Sequence, residues 1–369
     1  MKNIRIGIVG LGNMGRTHGR NFTEIKIPGI QLVATCDIIP EYAKLFPDTK
    51  FFTSSDAMIA SGTIDSILIA TPHYSHTTIG IAALKAGLHV MVEKPISVHK
   101  ADAEKLIAAH TNPQQVFALM FNQRTDPYYI AIREMVRSGE LGTIRRINWI
   151  ITNWFRTHCY YASGGWRATW GGEGGGVLLN QCPHNLDLYS WMFGQPDRVR
   201  AFCTFGRYHD IEVEDDVTAY FEYKSGTTAS FITSTGEAPG TNRLEITAEK
   251  GRLVMEDEKL IFIENEVPMS ELSRTSKEYY NTPKTTEKEI PVSGHGDQHI
   301  GVMRNFAEAI LEGKPLIAPA AEGLRSVELA NAMLLSTFQD RAVEMPPDAA
   351  VYEKELQKKI AASSGSKKK

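Results

Sequence analysis

Gly10-Leu11-Gly12-Asn13-Met14-Gly15 stands where an apolar run gives way to a segment of helical character. In that setting the spacing does its chemistry through the backbone. Gly10 permits a tight turn, Gly12 lets a pyrophosphate approach the main chain, and Gly15 lets the helix lie against the strand. Asn13 and Met14 then open a helix whose unpaired N–H groups and dipole face the phosphates. Asp37 closes the next apolar run. It sits near the ~20-residue offset at which a carboxylate accepts from the adenosine ribose hydroxyls of a dinucleotide. The same carboxylate repels a 2′-phosphate, and neighbouring Ile38 and Ile39 offer no cation, so the pattern predicts NAD rather than NADP.

A second concentration of reactive side chains lies in a glycine-punctuated stretch: Trp154, Arg156, His158, Tyr160, Tyr161, Trp166, Arg167 and Trp170. Aromatic faces stack on the C–H faces of sugar rings while Arg and His contact hydroxyls, so Tyr161, Trp166 and Arg167 are candidate substrate ligands. The same cluster is also what buried packing under a long loop looks like. Arg124 and His295 are further candidates for hydroxyl contacts. The acidic run Glu212–Asp216 reads as a solvated turn without a histidine at ligand spacing, and Cys36, Cys159, Cys182 and Cys203 show no metal or disulfide pattern, so no metal is expected.

These residues need elements to hold them. Up to about Phe121, short β-branched runs alternate with amphipathic segments, the pattern of βαβ units on a parallel sheet. Strands are expected over 4–9, 31–36, 66–70, 89–92 and 116–121, and helices over 14–24, 77–85, 100–109 and 126–138. After Thr143, alternating runs over 145–152, 217–223, 227–233 and 243–248 indicate an open, largely antiparallel sheet, with a hairpin at 223–227. Helices over 299–311 and 322–337 are expected to return against the first domain. The expected class is α/β: an N-terminal Rossmann domain (1–123), a second α/β domain for substrate binding and oligomerisation (124–360), and a disordered tail (361–369).

With 369 residues, 42% hydrophobic, 22% charged and a net charge of -3, the chain has no broad basic field for nucleic acid. No stretch is apolar enough to span a membrane, and the start runs into a strand pattern without a secretion signal, so a cytoplasmic enzyme is expected.

Two further segments give the chain a family resemblance. Ala70-Thr71-Pro72-His73-Tyr74-Ser75-His76 and Ala82-Ala83-Leu84-Lys85-Ala86-Gly87-Leu88-His89-Val90-Met91-Val92-Glu93-Lys94-Pro95 resemble the signature of the Gfo/Idh/MocA oxidoreductases. Asn122-Gln123-Arg124, Ser138-Gly139-Glu140-Leu141-Gly142 and Gly174-Gly175-Gly176-Val177-Leu178-Leu179-Asn180-Gln181-Cys182-Pro183-His184-Asn185-Leu186-Asp187 extend the similarity. The resemblance implies a homo-oligomer (dimer, tetramer or hexamer) built through the second sheet. It also implies cofactor contacts at Thr71, Pro72, His73, His76 and Glu93, and catalytic roles for Lys94, beside the nicotinamide, and His184.

Two positions depart from the family pattern: Asn180 replaces the usual Asp, and His73 replaces a common Asn. Asn180 cannot raise the basicity of His184 as a carboxylate would, but it can exchange hydrogen bonds with substrate. If 180–188 is helical, Asn180 and His184 share one face, with Pro183 tolerable only in the first turn. A helix N-cap is the alternative for Asn180.

Oxidising a secondary alcohol needs a base for the hydroxyl proton and a positive group for the developing alkoxide, and His184 and Lys94 supply them. The expected activity is an NAD-dependent dehydrogenase of a sugar, inositol or glycoside hydroxyl, C3 of a glucoside being the most specific expectation. The alternatives are an NAD-retaining, redox-neutral glycosidase, for which Tyr160 or Tyr161 is the local candidate, and a catalytically silent NAD-binding sensor.

Overall fold

The computed structural model describes residues 3–366. Among them the strands form two sheets. The first contains β1 (Ile4–Val9), β2 (Ile30–Cys36), β3 (Lys50–Phe52), β4 (Ser66–Ile69), β5 (His89–Val92) and β6 (Phe117–Leu119), parallel throughout, in the order β3-β2-β1-β4-β5-β6. Strand order reverses between β1 and β4, which opens a crevice beyond the carboxyl ends of these strands.

The connecting helices are α1 (Asn13–Arg20), α2 (Ser55–Ala60), α3 (His73–Lys85) and α4 (Lys100–Ala108). The strands read as unbroken apolar runs because both faces are covered. Ile67, Ile69, Val90 and Val92 pack with Ala83, Leu84, Ala103 and Leu106 of α3 and α4. Leu68 and Met91, one residue out of phase, face the opposite side. Strand β3 and helix α2 were not anticipated. Three residues carry no periodicity, and α2 is a short helix started by the Ser54 hydroxyl, which accepts from the Ala57 N–H at 3.4 Å.

Helix α5 (Pro127–Ser138) leads out of the first domain, capped by the Asp126 carboxylate and ended by Gly139 at φ 74°. Then follow β7 (Ile144–Ile151), α6 (His158–Ala162), α7 (Pro183–Phe193), β8 (Arg198–Phe205), β9 (Glu214–Glu222), β10 (Thr228–Ser234), β11 (Asn242–Ala248), β12 (Gly251–Glu256), β13 (Lys259–Asn265), α8 (Met269–Thr275) and β14 (Thr285–Glu289). The chain closes with α9 (Gln298–Glu312), α10 (Gly323–Gln339), β15 (Val343–Glu344) and α11 (Ala349–Ser366).

The second sheet has the order β14-β13-β12-β11-β7-β10-β9-β8-β15. It is antiparallel except for β7 and β10, which run parallel. The expected hairpin joins β9 to β10, Tyr223 N–H donating to the Thr227 carbonyl at 3.0 Å. On the buried face Trp149, Phe221 and Phe231 pack against Leu186, Tyr189 and Met333 of α7 and α10. Phe202 and Tyr220 lie on the other face, 59% and 42% exposed.

Helix α9 braces the first sheet as expected, with Val302, Met303 and Phe306 packed on Ile6, Ile8 and Met91. Helix α10 divides its contacts. Val327 joins the α3/α4 side of the first domain, and Leu329, Met333 and Leu334 join the core of the second. The expected tail needs correction: α11 continues to Ser366, so 361–366 are helical, and 367–369 lie outside the described residues.

Candidate active site

The glycine turn is built as its spacing requires. Gly10 has φ 89°, and a Cβ there would meet the Ala70 carbonyl at 2.7 Å; a Cβ on Gly15 would meet the Gly10 carbonyl at 1.8 Å. A Cβ on Gly12 would meet nothing within 4 Å, so the space in front of α1 is open. Gly12 is the N-cap and has no side chain to occupy the first-turn N–H groups, at Asn13 and Met14 among others, which are left for an anion. Asp37 ends β2 and accepts from Leu11 N–H at 2.6 Å and Ile39 N–H at 3.0 Å, beside an Ile38 that is 87% exposed. Across the crevice, Thr71 Oγ1 is buried without a hydrogen-bond partner among the described residues, just before Pro72 caps α3. Open glycines, free N–H groups, a strand-end carboxylate and an orphaned hydroxyl together fit a dinucleotide.

Lys94 follows β5, and its Nζ donates to the Asn180 carbonyl at 2.8 Å, joining the two domains. Burial lowers its pKa, against the raising influence of Glu93 and Glu173. His184 lies in the first turn of α7, edge-on to Phe121 at 6.1 Å. Burial, then the Lys94 ammonium, pushes its pKa down to about 3, so the imidazole is neutral at physiological pH. Its Nδ1 has no partner among the described residues.

Several expected ligands are placed otherwise. Asn180 lies in the turn before α7, whose N-cap is Cys182, so it neither shares a helical face with His184 nor caps the helix. Pro183 at the first position explains why the helix starts no earlier. Arg124 is not open to substrate. Its guanidinium is 2% exposed and clamped between Asp187, at 2.6 and 2.7 Å, and Glu322. Tyr161 turns away, its hydroxyl donating to Thr235 Oγ1 at 2.8 Å and its ring on His209. The Tyr160 hydroxyl lies 3.5 Å from Asn180 Oδ1 and 2.9 Å from Arg167 Nη1.

Three residues expected to contact the cofactor have hydrogen-bond partners within the fold. Glu93 accepts from His18 Nε2 at 2.5 Å and from its neighbour's N–H at 3.1 Å. Burial works to raise its pKa, but the His18 bond and charge and the Lys94 ammonium outweigh it and hold the carboxylate at about 2. His76 is buried, with its ring nitrogens 2.8 Å from the carbonyls of Pro95 and Thr71. His73 is buried too and donates from Nδ1 to the Glu173 carbonyl at 3.1 Å, its pKa lowered to about 3 by burial, then by His76 and Lys94. Trp166 stands edge-on to His73 at 5.9 Å, with Arg167 over its ring at 4.8 Å. His295 is 67% exposed and lies 3.4 Å from Asp126. It borders a cavity of about 410 Å³ lined also by Gln123, Asn153, Trp154 and Asn185.

The sequence reading missed Glu173, a carboxylate 1% exposed beside Asn180 and Arg167. Its signal was an acid amid glycines. Glu214 and Asp215, expected in a solvated turn, are buried and accept from backbone N–H groups of Leu178, Arg207 and Tyr208. Among the described residues no helix is long and apolar enough to cross a membrane.

Comparisons with known proteins agree with this geometry. The family described as "Oxidoreductase family, NAD-binding Rossmann fold" matches residues 4–121, and "GFO/IDH/MocA C-terminal domain" matches 129–254. An inositol 2-dehydrogenase from Rhizobium meliloti is 21% identical over 93% of this chain and 99% of its own. A levoglucosan dehydrogenase from Pseudarthrobacter phenanthrenivorans is 22% identical, over 95% of this chain and 100% of its own. The WlbA dehydrogenase from Chromobacterium violaceum, solved with NADH and UDP-GlcNAcA, superposes with a TM-score of 0.81 at 26% identity, covering 94% of this chain and 97% of that one. The dinucleotide crevice, the second sheet and the two family matches together make this chain an NAD-binding oxidoreductase of the Gfo/Idh/MocA family.

Proposed function

We propose that the protein transfers hydride between NAD and a secondary hydroxyl of a sugar, inositol or glycoside, with Lys94 and His184 as the acid/base pair. The observation that carries this reading is the meeting of the two domains at Lys94, whose Nζ is held by the Asn180 carbonyl, four residues before His184, whose buried Nδ1 has no partner among the described residues. Bound NAD supplies the hydride acceptor. The His184 imidazole takes the hydroxyl proton, and Lys94 Nζ stabilises the charge that grows on oxygen. A cavity of about 410 Å³, lined by amide side chains and the Trp154 indole, has the chemistry to take a polyhydroxylated ring; it reaches Asn185, the residue after His184, and is lined by neither His184 nor Lys94. The similarity to inositol and levoglucosan dehydrogenases supports the same class. Within it, C3 of a glucoside is the position we assign. The apolar side chains on the open face of the second sheet, Phe202 and Tyr220, favour pairing with further copies of the chain.

A redox-neutral glycosidase is the second reading, favoured by the Tyr160 hydroxyl beside Asn180, where an elimination step needs a proton acceptor. Incubating the purified protein with NAD and a panel of inositols, free sugars and aryl glucosides separates the two. Stoichiometric NADH with a product two hydrogens lighter establishes the dehydrogenase. Aglycone release without NADH establishes the glycosidase instead.

A further inference from the structure

Glu173 sits in a glycine run packed too tightly for it to move. A Cβ on Gly174 would meet Val98 Cγ1 at 2.0 Å, and one on Gly176 would meet the Glu214 carbonyl at 1.9 Å. Glu173 Oε2 accepts from the Ala168 N–H at 2.6 Å, and Oε1 accepts from Asn180 Nδ2 and lies 3.7 Å from Arg167 Nη1. A carboxylate only accepts, so this contact leaves the Asn180 amide one orientation. Its NH2 faces Glu173, and its Oδ1 faces outward, toward the Tyr160 hydroxyl. The carbonyl of the same residue holds Lys94 Nζ.

We propose that Glu173 is a positioning residue: it places a buried negative charge between Asn180 and Arg167, in addition to that of Glu93, and locks Asn180 so that Oδ1 is presented as an acceptor to a substrate hydroxyl. The assignment rests on the dehydrogenase reading above. An amide left free could turn over and present a donor, and a substrate hydroxyl that must give up its proton needs the acceptor. The charge has a second use, since Lys94 and Arg167 are cations crowded into one buried region, and Glu173 offsets both. The groups that sense the carboxylate are Arg167, Lys94, Glu214 and Tyr161, with His73 bonded to its carbonyl. Burial raises the pKa of Glu173, opposed by the Ala168 N–H, Arg167, Asn180 and Lys94.

A charge-exchange cycle tests this. Glu173→Gln should lower kcat/KM for the oxidised substrate about 10- to 100-fold, the scale of a misplaced reacting group, and shift its acid limb, with NAD affinity unchanged. Asn180→Asp alone puts two carboxylates in contact and should also lose activity. The double variant Glu173→Gln/Asn180→Asp restores one charge and one accepting oxygen, and should exceed both single variants. Wild-type kcat/KM and pH profile in Glu173→Gln, or a double variant no better than the better single one, overturns the proposal. If the wild type oxidises nothing in the panel, the dehydrogenase reading falls, and the cycle is read in the melting temperature of the NAD-loaded protein. There, Asn180→Asp should destabilise the wild type and stabilise Glu173→Gln, and additive shifts overturn the lock.

Discussion

The Lys94 ammonium donates to the Asn180 carbonyl at 2.8 Å, so a side chain at the end of a first-domain strand is seated by the main chain of the second domain. A lysine so held is fixed by a neutral acceptor rather than by a neutralising carboxylate. Lys94→Met should lower kcat by about 10²–10⁴-fold, the usual worth of an acid/base group, and leave NAD affinity nearly unchanged. Steady-state kinetics beside fluorescence titration with NAD checks both expectations.

His184 should act as a neutral base at every working pH, because burial and Lys94 hold its pKa at about 3. His184→Gln is therefore expected to abolish turnover without removing an ionisation near pH 6.5 from the kcat/KM profile. The same shift links pH to stability. Below pH 6.5 the unfolded chain protonates this histidine and the folded chain does not, so its contribution falls from pH 6.5 toward 3. The wild type should lose melting temperature relative to His184→Gln as pH drops from 7 to 5, which thermal denaturation measures.

Asp37 should control the choice of cofactor. Asp37→Ser/Ile38→Arg removes the strand-end carboxylate to which we assign the ribose hydroxyls and places a cation at an exposed position. NAD affinity should fall about tenfold or more, the cost of losing hydrogen bonds to a charged group, and NADP should become usable. Titration with both cofactors checks it.

Arg124 should prove structural. Arg124→Met leaves Asp187, itself 2% exposed, without its cation, and breaking such a buried pair costs about 3–5 kcal/mol. Urea denaturation should show that loss, while the protein still folded keeps its KM for substrate.

The dinucleotide half of the site was legible in the sequence because backbone geometry dictates it: a turn at φ 89° and a helix against a strand accept glycine and little else. The second half was not, because its contacts join residues far apart in the chain. Nothing local indicated that Arg124 would meet Asp187 and Glu322, and Glu173 meets Asn180 across a short irregular glycine-rich turn that has no period to read. Asn180 was misplaced because the i, i+4 spacing to His184 looks helical while Pro183 starts the helix three residues later. Strand β14 escaped notice because all five of its residues are exposed, so it has no alternation to read.

The packing of α9 on Ile6, Ile8 and Met91 also bears on how the protein is made. A ribosome completes all six strands of the first sheet long before it reaches Val302 and Phe306, and at ~5–20 residues per second the interval is on the order of ten seconds or more. Through that time one apolar flank of the sheet lacks its cover. The nascent chain thus emerges with that apolar surface open to water, and a gene cut after residue 123 would make that condition permanent.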